Sequence, residues 1–172
     1  NWYLKAIGRA RRDILVANAY FLPGQKFRRA LLEARRRGVR VRLLLRGISE
    51  YPLMDWASRA MYDEFLRAGV EIIEYRKSHL HAKVAVIDEQ TTVGSSNIDP
   101  FSLLLAREAN VVVDDAAFAA HLRERLVRAM AEGGARMDPS AFANRSWRER
   151  LRERLALGLM RLALLVHGKE YL

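Results

Sequence analysis

His81-Ala82-Lys83-Val84-Ala85-Val86-Ile87-Asp88 runs through Glu89-Gln90-Thr91-Thr92-Val93 into Gly94-Ser95-Ser96-Asn97, and both fold and chemistry can be read outward from this stretch. Side chains alternate faces along a strand, so His81 and Lys83, two residues apart, point the same way and can grip one ligand. Leu80, Val84, Val86 and Ile87 make both faces apolar, which predicts a strand over 80–88 buried between layers of helices. Lys83 is then a buried cation that needs an anion. A second strand over 91–94 is expected beside the first, ending in a turn of small residues. There backbone N–H groups and the Asn97 amide can approach a phosphate oxygen. A histidine able to act as nucleophile or general acid, a fixed cation, the Asp88 carboxylate and a compact polar turn together suit attack on a phosphodiester.

Around this centre the chain alternates apolar and amphipathic runs. Strands are expected over 14–19, 39–45 and 70–75, and helices over 2–10, 25–37 and 53–68. Gly38 and Gly69 stand where helix C-caps belong, each just before the next strand. A further strand over 109–113 and a helix over 116–132 follow, closed by Gly133-Gly134. Repeated βαβ units of this kind imply an α/β sandwich with helices on both faces of the sheet.

H-x-K-x4-D followed by G-S-x-N resembles the signature of the phospholipase D superfamily. The run Asn97-Ile98-Asp99-Pro100, Ser102-Leu103-Leu104-Leu105 and Glu108-Ala109-Asn110, with Ala19-Tyr20-Phe21-Leu22-Pro23-Gly24 upstream, is most similar to bacterial cardiolipin synthases. The resemblance extends from about residue 3 to about residue 130. It implies a layered α/β/α domain with a mixed sheet, and a site in which one motif histidine forms a phosphohistidine while a second protonates the departing alkoxide. His81 is then one of that pair, Lys83, Ser96 and Asn97 hold the phosphate, Asp88 completes the motif, and Glu108 orients the histidine ring by a hydrogen bond. The family's frequent N-x-E reads Ala106-Arg107-Glu108 here, so that asparagine is missing. No cofactor is implied, and no cluster of histidine and carboxylate at ligand spacing suggests a metal.

Only one H-x-K-x4-D occurs in the 172 residues, so the chain supplies half of a two-histidine site. Family members carry two motifs in one polypeptide or pair two single-motif chains. The start at Asn1, without methionine and directly in a helix, suggests the C-terminal half of a two-motif synthase. In that arrangement His81 is the general acid and base, and the histidine of the absent motif is the nucleophile. The expected function is phosphatidyl transfer to an alcohol on anionic phospholipid, at the cytoplasmic face of the bacterial inner membrane. One alternative is a homodimeric phosphodiesterase or nuclease. Another is an inactive half that binds membrane and pairs with its missing counterpart.

The net charge of +10 fits an anionic partner, phospholipid or nucleic acid, although arginines such as Arg35-Arg36-Arg37 equally suit a solvated helix face. Leucines in the tail and the Tyr20-Phe21-Leu22-Pro23 run favour lipid. There is no cysteine, hence no disulfide framework. Tyr20, Phe21, Tyr51 and Trp56, on loops that follow strands, are candidates for a lipid entrance or for caps on the core. His79, His121 and His167 receive no chemical role. Residues 1–134 are expected as the catalytic half-domain and 135–172 as a helical tail. In that tail an arginine-rich segment precedes the leucines of 155–166, which suits a helix in the membrane interface or one packed on protein.

Overall fold

The structure, a computed structural model, describes residues 2–104 and 107–166, with the side chains of residues 103 and 104 excluded. Leu105, Ala106 and His167, which entered the sequence reading, lie outside the described residues. Chain order is α1 (Trp2–Arg9), β1 (Asp13–Asn18), α2 (Gln25–Arg36), β2 (Arg40–Arg46), α3 (Pro52–Arg67), β3 (Glu71–Tyr75), β4 (Lys83–Ile87), β5 (Gln90–Gly94), α4 (Pro100–Leu104), β6 (Asn110–Asp114), α5 (Ala116–Gly133), β7 (Gly134–Arg136), α6 (Pro139–Ala143) and α7 (Trp147–Val166).

Seven strands form one mixed sheet in the order β6-β5-β4-β1-β2-β3-β7. β1, β2 and β3 pair in parallel, whereas β4 runs antiparallel to β1 and leads into the antiparallel β5 and β6. Alternation along the central strands sends Ile14, Val16, Val41, Leu43, Ile72 and Ala85 into the core under α1, α2, α3 and α7. The intervening Leu15, Ala17, Leu44, Ile73 and Val86 pack on the other face with Ala119 and Leu126 of α5. The layered α/β/α architecture expected from the alternating pattern is therefore observed.

Both expected glycine caps form. Gly38 and Gly69 adopt φ of 87° and 86°. Their N–H groups donate to the carbonyls of Arg35 and Leu66, and those of Val39 and Val70 donate to Ala34 and Phe65. That is the double closure of a Schellman turn, and a side chain at this φ would be strained.

The expected break at 134/135 is not a structural boundary. Gly134 does not end the helix in a linker but opens β7, which pairs antiparallel with β3 at the sheet edge. Phe142, Ala156 and Met160 then join the main core, so the tail is built into the domain. α7 begins at a capping box: Ser146 N–H donates to the Glu149 carboxylate at 2.9 Å, and Glu149 N–H donates to Ser146 Oγ at 3.3 Å. An ion-pair cluster docks it on α3. Arg145 donates to both Glu153 and Asp63, at 2.7 and 2.9 Å, and its guanidinium lies 3.8 Å from the Phe142 ring centre. Glu153 is 2% exposed.

Candidate active site

The motif residues gather at one end of the sheet, where β1 and β2 finish and β4 begins. Asn18, the last residue of β1, pairs with Lys83, the first of β4. One further rung, from Ala19 N–H to the Ala82 carbonyl at 3.1 Å, extends the ladder. The strand therefore starts at Lys83 rather than at residue 80. Beyond Ala19 the chain turns away to bridge Phe21 with Ile98, so His81 has no strand beside it. It stands exposed at the mouth of the site.

Lys83 is 8% exposed, and its Nζ donates to the His81 carbonyl at 3.1 Å. Burial pushes its pKa below the ordinary lysine value, and the charge of Glu108 acts in the opposite sense. The ammonium thus sits next to the histidine backbone, with no ion pair among the described residues, and is suited to an anionic oxygen.

The G-S-S-N turn is fixed from three sides. A Cβ on Gly94 would stand 1.9 Å from Asn110 Oδ1 and 2.5 Å from the Ala109 carbonyl, so only glycine lets this approach occur. Ser95 exchanges hydrogen bonds with the backbone of Ala109, its N–H donating at 3.0 Å and its Oγ accepting from Ala109 N–H at 3.0 Å. Ser96 Oγ accepts from Asn110 Nδ2 at 2.7 Å, which leaves its own hydroxyl proton to give. The fully buried Asn18 accepts from Ile98 N–H through Oδ1 at 3.0 Å and ties the turn to β1. Tyr20 N–H donates to Asn97 Oδ1 at 3.3 Å. That contact uses the acceptor of the Asn97 amide and leaves Nδ2, with no protein partner among the described residues, as a donor. His81, Lys83, Ser96 and Asn97 thus lie at one end of the sheet, the motif strand and the G-S-S-N turn both being tied to residues 18–20.

Asp88 does not join them. It lies at the far end of β4, five residues and about 16 Å along the strand. It turns the β4–β5 hairpin at φ 50°. Its carboxylate accepts the N–H groups of Arg11, Arg12 and Asp13 at 2.9, 3.0 and 3.0 Å. Burial opposes ionisation there, but these backbone donors outweigh it and hold the carboxyl below the usual aspartate range. The motif aspartate is an anchor for the loop before β1, so its expected place in the catalytic set is corrected. The expected hydrogen bond from Glu108 to the His81 ring is also not formed among the described residues. Glu108 is exposed on the strip that leads to Ala109, whose backbone is held by Ser95, and its charge acts on Lys83.

Of the four entrance candidates, Tyr20 and Tyr51 stand together, with ring centres 5.8 Å apart. Phe21 is a core residue, packed against Phe27 and Phe65 at 6.2 and 6.0 Å. Trp56 packs on the core at the α3–α7 seam, under the Arg152 guanidinium at 4.6 Å. Both line a cleft of about 240 Å³ behind Tyr20, but Arg46, Asp55, Arg59, Glu74 and Arg76 share its walls, an unsuitable lining for an acyl chain.

Residue types alone did not single out Asn18, Asn110 or Arg46. Asn18 had a legible signal, an amide in an otherwise apolar buried strand, which must be paired for a reason. Arg46, at the end of β2, donates to Tyr20 OH at 2.6 Å and pairs with Glu50 at 2.5 Å. His79 joins this cluster, its Nδ1 lying 2.9 Å from Arg46 and 3.3 Å from Glu50. Among the described residues no group of three or more histidine, aspartate or glutamate side chains is placed to hold a metal ion.

Comparison with known proteins agrees with this geometry. A family model described as "Cardiolipin synthase, PLD-like domain" matches residues 3–130. Cardiolipin synthase B of Escherichia coli (strain K12) is 41% identical over 160 residues, covering 92% of this chain and 39% of that protein. The minor cardiolipin synthase of Bacillus subtilis (strain 168) is 32% identical over 160 residues, covering 92% and 40%. The chain thus spans about two-fifths of the length of these curated relatives. Among solved structures, phosphatidylserine synthase of Haemophilus influenzae Rd KW20 superposes with a TM-score of 0.72 at 11% identity, covering 98% of this chain and 43% of that one. Nuc of Salmonella typhimurium, described as a phospholipase D family member, superposes with a TM-score of 0.68 at 21% identity, covering 79% and 88%. The two structures share the fold and the two relatives share the sequence: this chain belongs to the cardiolipin synthase family of phospholipase D-like domains.

Proposed function

We propose that the chain is one half-site of a phosphatidyltransferase acting on anionic phospholipid through a phosphohistidine. The observation that supports this reading is the buried Lys83 ammonium, whose one hydrogen-bond partner among the described residues is the carbonyl of the exposed His81. A cation so placed is costly unless an anionic oxygen occupies the site.

Two imidazoles act in line on the phosphorus. One attacks it, and the bond between phosphorus and the headgroup oxygen breaks, while the other gives its proton to the departing alkoxide. An acceptor alcohol then loses its proton to that second ring and attacks, breaking the P–N bond and restoring both histidines. Lys83 and Asn97 Nδ2, with the Ser96 hydroxyl, stabilise the phosphoryl oxygens as charge builds on them. This chain offers a single motif histidine, so the partner imidazole comes from a second half-domain, in the same polypeptide or in another copy.

Phosphatidylglycerol in detergent micelles tests the proposal, because its headgroup is a leaving alcohol and a second molecule is an acceptor. The intact enzyme is expected to form cardiolipin, seen by mass spectrometry, and His81→Ala is expected to abolish this while retaining the fold. Transfer by a folded His81→Ala enzyme within tenfold of the unmodified one would remove His81 from the mechanism.

A further inference from the structure

The α7 helix is amphipathic twice over. Glu153, Ala156, Met160 and Leu164, at spacings of three and four, face α3 and the core. On the opposite side Trp147 is 68% exposed, Leu155 59% and Leu162 59%, with Leu151, Leu159 and Val166 extending the same stripe. Arg150, Arg154 and Arg161 form a row along one flank of the stripe, and Arg148 and Arg152 lie along the other. The two acidic residues of the helix are both engaged elsewhere, Glu149 in the capping box and Glu153 in the buried ion pairs. The exposed face is thus a leucine stripe with cationic margins and no free carboxylate.

Its direction relates it to the site. Trp147 shares a groove with Leu53, Arg152 stacks on Trp56, Arg59 pairs with Glu153, and the charge of Arg161 acts on Arg28, itself paired with Glu64, so positions rise together along α3 and α7 and the helices run in the same direction. The Trp147 end of α7 therefore lies beside the start of α3, which follows the loop carrying Tyr51 at the site end of the sheet, and the leucine stripe extends from there along α3. Leu53 and Trp56 join Trp147, Leu151, Leu155 and Leu159 in a nearly wholly apolar groove of about 340 Å³. Tyr51, at 61% exposed, continues this surface toward Tyr20 and the motif turn.

We infer that this face is the surface by which the protein lies on an anionic lipid bilayer, with the leucines at acyl depth and the arginines among the headgroup phosphates. Among the described residues no helix is long and apolar enough to cross a membrane, and seven charged residues in α7 fit a helix parallel to the surface. So docked, the site end sits at the level of the lipid phosphates. The inference rests on phospholipid being the substrate, but the surface can be tested apart from the chemistry.

Flotation of the chain with vesicles of equal parts phosphatidylglycerol and phosphatidylcholine is the test. Leu151→Gln, Leu155→Gln and Leu162→Gln together leave the packed face intact and are expected to lower bound fraction by about tenfold or more at an unchanged melting temperature. Arg154→Gln with Arg161→Gln is expected to weaken binding and flatten its dependence on salt. Vesicles with bromine-labelled acyl chains are expected to quench tryptophan emission of the unmodified chain, and Trp147→Phe to remove the quenched component. Unchanged vesicle binding by a folded triple variant, or bound protein without quenching at Trp147, overturns the inference and leaves another protein surface as the cover of this face. In the intact enzyme the triple variant is expected to lose turnover on vesicles and keep it on detergent-dispersed phosphatidylglycerol. Absence of detergent turnover in the unmodified enzyme would refute the transferase proposal alone, and vesicle flotation would still decide the docking face.

Discussion

Replacing Lys83 by Met separates what this residue does for the fold from what it does for chemistry. The two side chains are similar in length, and the site is 8% exposed, so the thioether can occupy the volume of the butyl-ammonium. Lys83→Met removes one hydrogen bond, to the carbonyl of an exposed histidine that water can reach, and relieves the burial of a charge. The net change in stability is expected to stay within about 1 kcal/mol and to favour Met. Burial depresses the folded-state pKa of Lys83 below its unfolded value. Between those two values the unfolded chain binds the extra proton, so native stability rises with pH in that window, and below the folded value the full cost of the buried cation is present. The Met variant should lack that rise. Transfer, in contrast, loses the cation that faces the phosphoryl oxygens, an effect of about 100-fold to 1000-fold, or about 2.7–4 kcal/mol at the transition state. Urea denaturation of the chain at alkaline pH and turnover of the intact enzyme on phosphatidylglycerol give the two numbers. Activity within tenfold of native, or a loss of stability as large as the loss in transition-state energy, would refute the division of roles.

Asp88→Ala should cost about 1–3 kcal/mol by denaturation, because three backbone N–H groups lose their acceptor, yet leave kcat on detergent substrate within a few-fold. Since the folded pKa of Asp88 is depressed, its contribution should be complete above the ordinary aspartate value and disappear as pH falls through the folded one. Arg145→Ala should destabilise the chain by about 3–5 kcal/mol in urea, because it strips Glu153 of its closest partner at a site 2% exposed. A loss under about 1 kcal/mol would mean that Arg59 alone satisfies that carboxylate. Asn110→Ala should release Ser96 and reduce kcat by about tenfold or more with little change in the melting temperature, since its amide contacts the turn at a partly buried strand end.

The layered fold was legible because periodicity and caps agreed at each step: amphipathic helices ended where Gly38 and Gly69 allowed a left-handed turn into the next apolar strand. β7 escaped because three residues that begin on the second glycine of a pair carry no pattern, and pairing with β3 supplies what sequence cannot. In the candidate site, the strand spacing that sets Lys83 beside the His81 backbone was readable, and Phe21 was misplaced because an aromatic loop residue looks alike whether it lines a mouth or fills a core. Asp88 shows the limit of reading a motif as a unit. Its place in the motif is as fixed as that of Lys83, but four intervening strand residues carry it to the opposite end of β4. Nothing local distinguished a carboxylate that serves backbone from one that serves substrate.

The seam between β1 and β4 bears on how the site comes into being. Asn18 and Ile98 are 80 residues apart, and Tyr20 and Asn97 are 77 apart, yet the bonds between them hold the turn. Residues 13–75 can assemble the parallel strands β1 to β3 and still possess no phosphate cradle. The cradle appears when the later hairpin docks along β1, a high contact-order event. The same closure makes the amide of Ile98 a reporter: its exchange with deuterated solvent should follow the slowest, sheet-splitting opening rather than the breathing of a surface loop. Catalytic competence and global cooperativity are, in this domain, measured by one hydrogen.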